Sequence, residues 1–413
     1  MMKLCGAVRM NAAMKWLAIA TMFLAAPLAS AQVTVERLTT TIPFPRGLAL
    51  ADPDGDGVES LYVLSRGRVR DSGGVDSAVD DRAGTIWEVD PATGETTVYA
   101  EPTSPPFRLL DRSISPPSDD RQTDRPYCTL RWDEASRSFY LCAFSGIDLA
   151  ESDPAKAEYG SFSKNYTDAV LGYDVDEGQW FQVDRHDPRY GADYPGGDGR
   201  GWAKGPDNVL AVGETLIVAA KDNSRLVAYD VSGRVQTPRV LMGETVTLVN
   251  RGDEARNVLG HSALGYRDGW LYVAFRTTGE VIRVPLENVG DVEQIALRSN
   301  EAELLAQFQP SVPAERKSAN ITDLSIGPDG DVYVVSAMPA RIYRFSPDPA
   351  NVRDFIDGEN AWADLAAITD NPRMKSENVL AADDGTVYVT SGDAYAGSQG
   401  EGLGGTVWIV KQK

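Results

Sequence analysis

The sequence predicts an all-β fold, a six-bladed β-propeller whose ring is closed by the N-terminal strand pairing with the last blade. Three observations predict it. No long segment has helical periodicity, short alternating strands are separated by Gly, Asp, Asn and Pro, and one strand pattern recurs six times. A propeller arranges such repeats as four-stranded blades around a central channel.

Each repeat contains an apolar strand, a tight turn, a second strand and a third strand. The second strands are, in order, SLYVLS, SFYLCA, TLIVAA, WLYVAF, DVYVVS and TVYVTS. The third strands are GTIWEVD, AVLGYDV, RLVAYDV, EVIRVPL, ARIYRFS and GTVWIVK. Six such pairs predict six blades, so we expect residues 32–413 to form a single domain.

The last repeat ends at its third strand, VWIVKQK, without a fourth strand. Residues 33–41, VTVERLTTT, form an unassigned strand pattern near the N-terminus. Because an unpaired sheet edge promotes aggregation, we expect this strand to complete the last blade and close the ring.

Long segments interrupt the repeats at 66–83, 102–126, 145–167, 185–206, 298–319, 356–376 and 392–404. In the predicted strand order all of them open on the face where the inner strand of each blade begins. Long loops on one face of a rigid scaffold are typical of a functional site. Neutral variation of surface loops is the alternative, but it would not favour one face.

Residues 14–31, MKWLAIATMFLAAPLASA, have the pattern of a secretory signal: one Lys, an apolar run and a small-residue cleavage site. We therefore predict that residues 1–31 are a signal peptide cleaved after Ala31, and translation could begin at Met14. The mature protein is expected in the periplasm or outside the cell.

The chain is acidic, and its formal net charge of −20 becomes −23 once the three basic residues of the signal are removed. Such a surface repels nucleic acid and anionic membranes, although acidity also serves solubility. No segment of the mature chain approaches the roughly 20 apolar residues of a membrane span. We expect a monomer that binds a small neutral or apolar organic substrate or a sugar.

Two cysteines remain after the signal, Cys128 and Cys142, in YCTLRWDEASRSFYLCAF. This segment is predicted to be a hairpin turning around Ala135, which sets Arg131 opposite Phe139 and the two cysteines opposite each other. Cross-strand Cβ atoms lie roughly 4.5–5.5 Å apart, and exported proteins form disulfides. We predict a disulfide between them; two buried thiols are the alternative.

Residues 52–57, DPDGDG, form an acidic turn on the face opposite the long loops. Asp52, Asp54 and Asp56 alternate as in calcium loops, with a glycine where such loops bend. Val63 stands at the twelfth position, where those loops place a Glu. An ordinary Asp/Gly turn is the preferred interpretation, and a structural calcium ion is the alternative.

Polar residues recur where the inner strands begin, at the predicted mouth of the channel. Counting back from the second strand places a polar residue there in four blades: Asn208, Ser262, Asp323 and Asn378. Asn257 and Asn320 lie just upstream of two of these positions. Calcium needs six to eight oxygen donors, so these side chains predict a divalent-metal site. Asn and Asp also favour such corners by bonding their own backbone, and that interpretation stays open.

The segment GPDNV, residues 205–209, resembles the PDN motif of the superfamily of six-bladed propellers that contains gluconolactonases, strictosidine synthases and paraoxonases. In that superfamily, Asn and Asp at the start of inner strands bind a central calcium or related ion, where many members hydrolyse lactones or esters. The resemblance implies Asp207, Asn208, Asp323 and Asn378 as ligands. In the first blade the sequence departs from the family, because PFPRGLAL places Arg46 where a Glu is usual.

Residues 383–410 are similar to a blade of the glucose/sorbosone dehydrogenases, which use pyrroloquinoline quinone. The segment DDGTVYVTSGDAYAGSQGEGLGGTVWIV carries this resemblance, and Arg256-Asn257 is similar to the RN motif of that family. A His just upstream of the blade acts as base in that family, whereas the corresponding stretch RMKSENVLAA contains none.

The sequence contains only two histidines that could act as general bases, His186 and His261. His261 adjoins the predicted metal site, although a satisfied polar residue is the alternative. His186 lies in a long loop with Tyr190, Tyr194 and Trp202, which could form an aromatic wall for a ligand or simply anchor the loop.

Together these patterns predict an exported, calcium-dependent hydrolase that acts on a lactone or ester at the channel mouth. The ion would polarise the carbonyl, and His261 or Asp323 would activate water. Two other functions stay open: a propeller that binds a ligand or protein without chemistry, and a quinone-dependent sugar dehydrogenase.

Overall fold

The structure, a computed structural model, describes residues 33–65, 84–103, 125–146, 166–186, 205–221, 224–232, 238–309, 321–337, 339–356, 359–372, 374–393 and 405–413. These residues form six β-sheets arranged as the blades of a propeller, which confirms the predicted fold class. None of the helices in these ranges has the length and apolar character of a membrane span.

The first strand, β1 (Val33–Thr39), belongs to the last blade, and the next twelve strands build blades one to three. Blade one contains β2 (Pro45–Ala51), β3 (Ser60–Ser65), β4 (Ile86–Val89) and β5 (Thr96–Ala100). Blade two contains β6 (Arg125–Asp133), β7 (Ser138–Gly146), β8 (Tyr166–Asp174) and β9 (Gln179–His186). Blade three contains β10 (Pro206–Val212), β11 (Thr215–Ala220), β12 (Arg225–Asp230) and β13 (Arg239–Met242).

A hairpin of β14 (Thr245–Leu248) and β15 (Glu254–Asn257) joins blades three and four. Blade four contains β16 (His261–Arg267), β17 (Trp270–Phe275), β18 (Glu280–Glu287), the short β19 (Ala296–Leu297) and β20 (Glu303–Gln309). Blade five contains β21 (Ile321–Ile326), β22 (Val332–Ser336), β23 (Arg341–Phe345) and β25 (Ala363–Asp364), while β24 (Arg353–Ile356) adds to blade four. Blade six contains β26 (Met374–Ala381), β27 (Val387–Asp393) and β28 (Gly405–Gln412).

In the described ranges, helical structure is limited to single turns. Two 3₁₀ turns span Val249–Arg251 and Ser299–Glu301, and the one α-helical turn of the described ranges, α1, spans Leu365–Ile368. The side chain of Asp364 caps α1 by accepting a hydrogen bond from the backbone N–H of Ala367. Short β-strands with turns between them therefore account for nearly all of the regular structure.

The N-terminal strand closes the ring, as predicted. Strand β1 pairs antiparallel with β28, from Val33 opposite Gln412 to Thr39 opposite Val407. Strand β28 is thus paired on both sides, with β27 and with β1. The closure removes the exposed edge that an incomplete last blade would present.

Neighbouring blades pack face to face, so the middle strands are buried on both sides. Each residue of β11, TLIVAA, is at most 1% exposed. Ile217 belongs to the apolar cluster shared with Val273 of blade four, whereas Val218 belongs to the cluster shared with Val170 of blade two. This two-sided burial explains why the second strands are continuous apolar runs.

The inner strand of every blade has a register irregularity near its start. In blade five, Ile321 pairs with Ser336 and Asp323 pairs with Val335, so Thr322 is an extra residue. A β-bulge bends its strand and re-aims the side chains beside it. The six bulges therefore determine which residue of each blade faces the channel mouth.

The β6–β7 hairpin differs from its predicted register by one residue. Arg131 pairs with Tyr140, not with Phe139, which lies opposite Trp132. The reason is the turn, in which the Asp133 carboxylate accepts hydrogen bonds from the backbone and hydroxyl of Ser136 and fixes a four-residue loop. Cys142 is buried between blades two and three, while the Cys128 side chain lies outside the described residues, so the disulfide stays a prediction.

Two of the long segments contain regular structure that the sequence did not predict. Segment 298–319 includes β20, and segment 356–376 includes β25 and α1. Strands β18 and β20 are joined by residues 288–302, on the face opposite the start of the inner strands, where only short turns were expected. Segment 66–83 and the other long insertions lie largely outside the described residues.

Candidate functional site at the channel mouth

One residue of each blade occupies the same register position at the end of the inner-strand bulge. In blades three to six it is the first residue of the resumed pairing, and in blades one and two it directly precedes that residue. We call this set the channel ring. In blade order it consists of Gly47, Thr129, Asn208, Ala263, Asp323 and Asn378. Of the predicted site residues, the ring brings together Asn208, Asp323 and Asn378.

The prediction for blade four was wrong by one position. Ala263, not Ser262, takes the ring position, because the turn Asp268-Gly269 is one residue shorter than the count assumed. Ser262 lies in the bulge and donates a hydrogen bond from its hydroxyl to the carbonyl of Ala274 at 3.3 Å. Blade four therefore contributes only a methyl group to the ring.

Asp323 is the centre of the ring and has no exposed surface. Its carboxylate accepts hydrogen bonds from Asn208 Nδ2 at 2.8 Å, Asn378 Nδ2 at 3.1 Å and the backbone N–H of Val379 at 3.2 Å. The first of these contacts joins blade three to blade five past the small Ala263. Three neutral donors from two other blades thus hold one carboxylate in place.

Arg131 of blade two completes the coordination of this carboxylate. Its Nη2 lies 3.2 Å from Asp323 Oδ1 and 3.4 Å from Oδ2. Its Nη1 donates to the carbonyls of Leu48 at 3.3 Å and Leu130 at 3.1 Å. The guanidinium therefore reaches across the channel from blade two to blade five, and it forms an ion pair that is largely shielded from water.

The pKa of Asp323 is raised above its ordinary value. Burial is the main cause, because it disfavours the charged form. The ion pair with Arg131 and the hydrogen bonds from Val379, Asn378 and Asn208 oppose this increase without cancelling it. These contacts therefore stabilise a carboxylate at a position that has no access to solvent.

The remaining predicted metal ligands lie elsewhere. Asn257 is exposed on β15, where its Oδ1 accepts a hydrogen bond from the Thr245 hydroxyl. Asn320 lies outside the described residues. Asp207 lies in the blade-three bulge, 3.5 Å from Lys221 Nζ and 3.8 Å from a guanidinium nitrogen of Arg276.

A second buried ion pair lies at the bulges of blades one and six. Arg46 donates to the carboxylate of Glu377, and the two residues are 6% and 3% exposed. Arg46, which stands where the resembling family usually has a Glu, thus has a carboxylate partner of its own. Glu377 was missed, although its position beside Asn378 placed it at the bulge next to blade one.

Arg131 was also missed by the sequence analysis. Its partner Asp323 is 192 positions away, so no local pattern connects them. One signal was present: Arg131 lies two residues after the ring position on an inner strand, and alternate residues of a strand share a face. A long charged side chain at that position is directed toward the channel.

His261 is completely buried and lies two residues before Ala263, the ring residue of blade four. Its imidazole packs edge to face on Phe275 with ring centroids 4.9 Å apart, and neither ring nitrogen has a hydrogen-bond partner among the described residues. Burial lowers the pKa of His261 to about 4. The nearby backbone of Gly243 opposes this shift, but it does not form a hydrogen bond with the imidazole. No described hydrogen bond joins it to Asp323. The side chain of His186 lies outside the described residues.

The ring residues do not suit a divalent cation as they are arranged. Calcium takes six to eight oxygen ligands, and the side chains of the ring offer one carboxylate, two amide oxygens and the Thr129 hydroxyl. Both oxygens of Asp323 already face donors, including the cationic Arg131. The Asn208 oxygen accepts from Thr129, and only the Asn378 oxygen has no partner in the described part of the chain. Calcium at the channel stays a prediction from the sequence.

The acidic turn DPDGDG brings three carboxylates together at the surface. One oxygen from each of Asp52, Asp54 and Asp56 lies within 4.8 Å of the others. The Asp52 carboxylate accepts backbone hydrogen bonds from Asp56 and Gly57, which is how an Asx-type turn is stabilised. The preferred interpretation as a turn explains these contacts, and calcium there remains a prediction.

Comparison with known proteins gives similarity at the level of fold. No protein-family model and no curated protein matches the chain. The PQQ-bound aldose sugar dehydrogenase of Streptomyces coelicolor is 15% identical, with a TM-score of 0.45 over 92% of this chain and 98% of its own. A gluconolactonase of Xanthomonas campestris is 10% identical, with a TM-score of 0.46 over 94% and 93%.

A luciferin-regenerating enzyme is 12% identical, with a TM-score of 0.46 over 92% of this chain and 95% of its own. Solved structures similar to the chain thus include members of both enzyme groups that the sequence resembles. Similarity at this level carries no argument about the site or the reaction. The case for function therefore depends on the channel itself.

Proposed function

We propose that the mature protein is an exported hydrolase of a small lactone or ester, with its reactive centre at the mouth of the channel. One observation carries the proposal: Asp323, without exposed surface, is paired with Arg131 from the opposite side of the channel. A buried ion pair rarely stabilises a fold more than apolar residues of similar volume. Buried titratable groups with shifted pKa values cluster at functional sites.

Each residue of this centre has a chemical role in the proposal. Arg131 supplies a fixed positive charge that would stabilise the oxyanion formed when a carbonyl is attacked. Asp323 acts as the base that takes a proton from water, and its raised pKa favours that role. Asn208 and Asn378 are positioning residues, because they hold the carboxylate in the orientation that pairs with Arg131.

Two elements of the sequence-based prediction are not part of this proposal. Calcium dependence is left out because the ring residues are a poor donor set for the ion. His261 is left out as the base because it makes no described contact with the ring, and its pKa of about 4 makes it a weak base at neutral pH.

The test is hydrolysis of a panel of p-nitrophenyl esters and γ- and δ-lactones by purified mature protein in the presence of a chelator. We expect turnover that falls at least 100-fold in Asp323→Asn and in Arg131→Met, which is about 2.7 kcal/mol of transition-state stabilisation. Arg283→Met is the matched control, because Arg283 forms its ion pair with Glu303 on outer strands of blade four. Absence of turnover, or equal turnover in Asp323→Asn and the parent, would refute the proposal.

Binding without catalysis is the second candidate, and one specific observation favours it. The Asp323 carboxylate is fully buried and already receives its hydrogen bonds from within the protein, which suits a rigid scaffold. In that case members of the panel would raise the melting temperature of the parent and none would be hydrolysed. The quinone-dependent dehydrogenase has no further observation in its favour.

A further inference from the structure

We propose that Arg131 is an internal replacement for a metal ion: its guanidinium neutralises Asp323, and the channel ring becomes a divalent-cation site only when Arg131 is removed. The guanidinium nitrogen lies 3.2 and 3.4 Å from the two oxygens of the carboxylate. It therefore stands in front of both oxygens, where a cation bound by this carboxylate would also have to be. The protein's own cation and a metal ion compete for one position.

The charges around the channel mouth support this assignment. Each carboxylate described there has a basic partner of its own: Asp323 has Arg131, Glu377 has Arg46, and Asp207 has Lys221 and Arg276. A divalent cation is held by ligands that carry uncompensated negative charge. Among the described residues, the mouth has none left to attract one.

The neighbouring amides could serve as ligands once the guanidinium is gone. Asn208 and Asn378 now direct their NH₂ groups at the Asp323 carboxylate, at 2.8 and 3.1 Å. Rotation of an amide by 180° exchanges its nitrogen for its oxygen. The Asn378 oxygen has no hydrogen-bond partner among the described residues, so among the contacts described here its rotation toward a cation would break only the hydrogen bond from Asn378 Nδ2 to Asp323.

Removal of Arg131 should therefore create a dependence on divalent cations that the parent lacks. In Arg131→Ala the carboxylate of Asp323 would be buried without a counter-charge, which strongly disfavours folding. An ion that binds only the native state stabilises it according to its concentration. Calcium in the medium and buffers should thus rescue the variant.

The experiment compares melting temperatures in chelator and in increasing CaCl₂ and MnCl₂, together with metal analysis after dialysis. We expect the parent and Arg131→Lys to be unaffected by chelator and to carry far less than one ion per chain. Arg131→Ala should gain a concentration-dependent rise of several degrees and bind one ion per chain. Arg283→Ala, which breaks an ion pair remote from the channel, should remain insensitive to calcium.

Two results would overturn the inference. One is a divalent ion that the parent holds tightly at one per chain and that Asp54→Asn, which alters the acidic turn, does not remove, because the guanidinium could not then occupy the position at Asp323. The other is an Arg131→Ala protein that calcium rescues neither in yield nor in melting temperature. The inference is independent of the proposed hydrolysis, since metal content and melting are measured without turnover.

Discussion

At the scale of single residues, the main feature of the channel is a carboxyl group that has no access to solvent and is paired with a guanidinium. Asp323 accepts hydrogen bonds from four other residues: the amides of Asn208 and Asn378, the backbone of Val379, and the Arg131 guanidinium. Loss of one partner of a buried pair leaves an uncompensated charge, which costs about 3–5 kcal/mol. Residues that are far apart in the sequence therefore depend on one another for stability.

His261 makes a prediction about acid stability. Its pKa is about 4 in the folded protein and 6.5 for the free side chain, so the unfolded chain binds a proton first as the pH falls. The stability contributed by the neutral imidazole is complete above pH 6.5 and is lost between pH 6.5 and about pH 4, by up to about 3 kcal/mol. Unfolding by urea at pH 7.5 and pH 4.5 measures this loss.

The matched variant is His261→Phe, which keeps an aromatic ring against Phe275 and removes the titration. Its stability should fall less than that of the parent between pH 7.5 and pH 4.5. An equal fall in both proteins would show that other groups cause the acid sensitivity and that His261 titrates at its ordinary pKa.

The ring residues show how far a local pattern can predict a site. Asn208, Asp323 and Asn378 were identified by counting from the second strand, which succeeds where the turn length is judged correctly. In blade four the two-residue turn moved the ring position from Ser262 to Ala263. Arg131 was not predicted, because an ion pair across the channel depends on blade geometry and not on neighbouring residues.

At the scale of elements, the bulges and the closing strand shape the molecule. The strand repeats and the missing fourth strand of blade six were sufficient to predict that β1 completes this blade, because β1 was the strand left unassigned. The bulges were not predicted, because they are produced where the crowded inner strands converge. At Gly47, for example, an added Cβ would lie 2.2 Å from the backbone nitrogen of Leu130.

Deletion of residues 32–41 should disable ring closure. The variant loses the pairing with β28 along Val33–Thr39 and the contact of the Arg37 guanidinium with the Trp408 ring at 5.4 Å. We expect a broad, less cooperative melting transition and aggregation through the exposed β28 edge. Calorimetry and light scattering test this, and a deletion variant that melts like the full mature chain would show that β1 is a dispensable tail.

At the scale of the whole molecule, a strongly acidic chain surrounds a centre in which the described charges are paired. The net charge of −20 is carried by residues outside this centre, so the surface and the channel present different environments to a ligand. Composition alone predicted the acidic surface. It could not predict the paired interior, because pairing depends on which residues the blades bring together.

The most direct test of the central claim is a double-mutant cycle on Arg131 and Asp323, measured by urea unfolding of the parent, Arg131→Met, Asp323→Asn and the double variant. Each single change should strongly lower the free energy of unfolding. Introducing the second change into a single variant should lower it little further, which gives a coupling energy of at least about 2 kcal/mol. The same cycle on Arg283 and Glu303, a partly exposed pair, should give less than about 1 kcal/mol. A coupling energy for Arg131 and Asp323 no larger than that of the control pair would contradict the account.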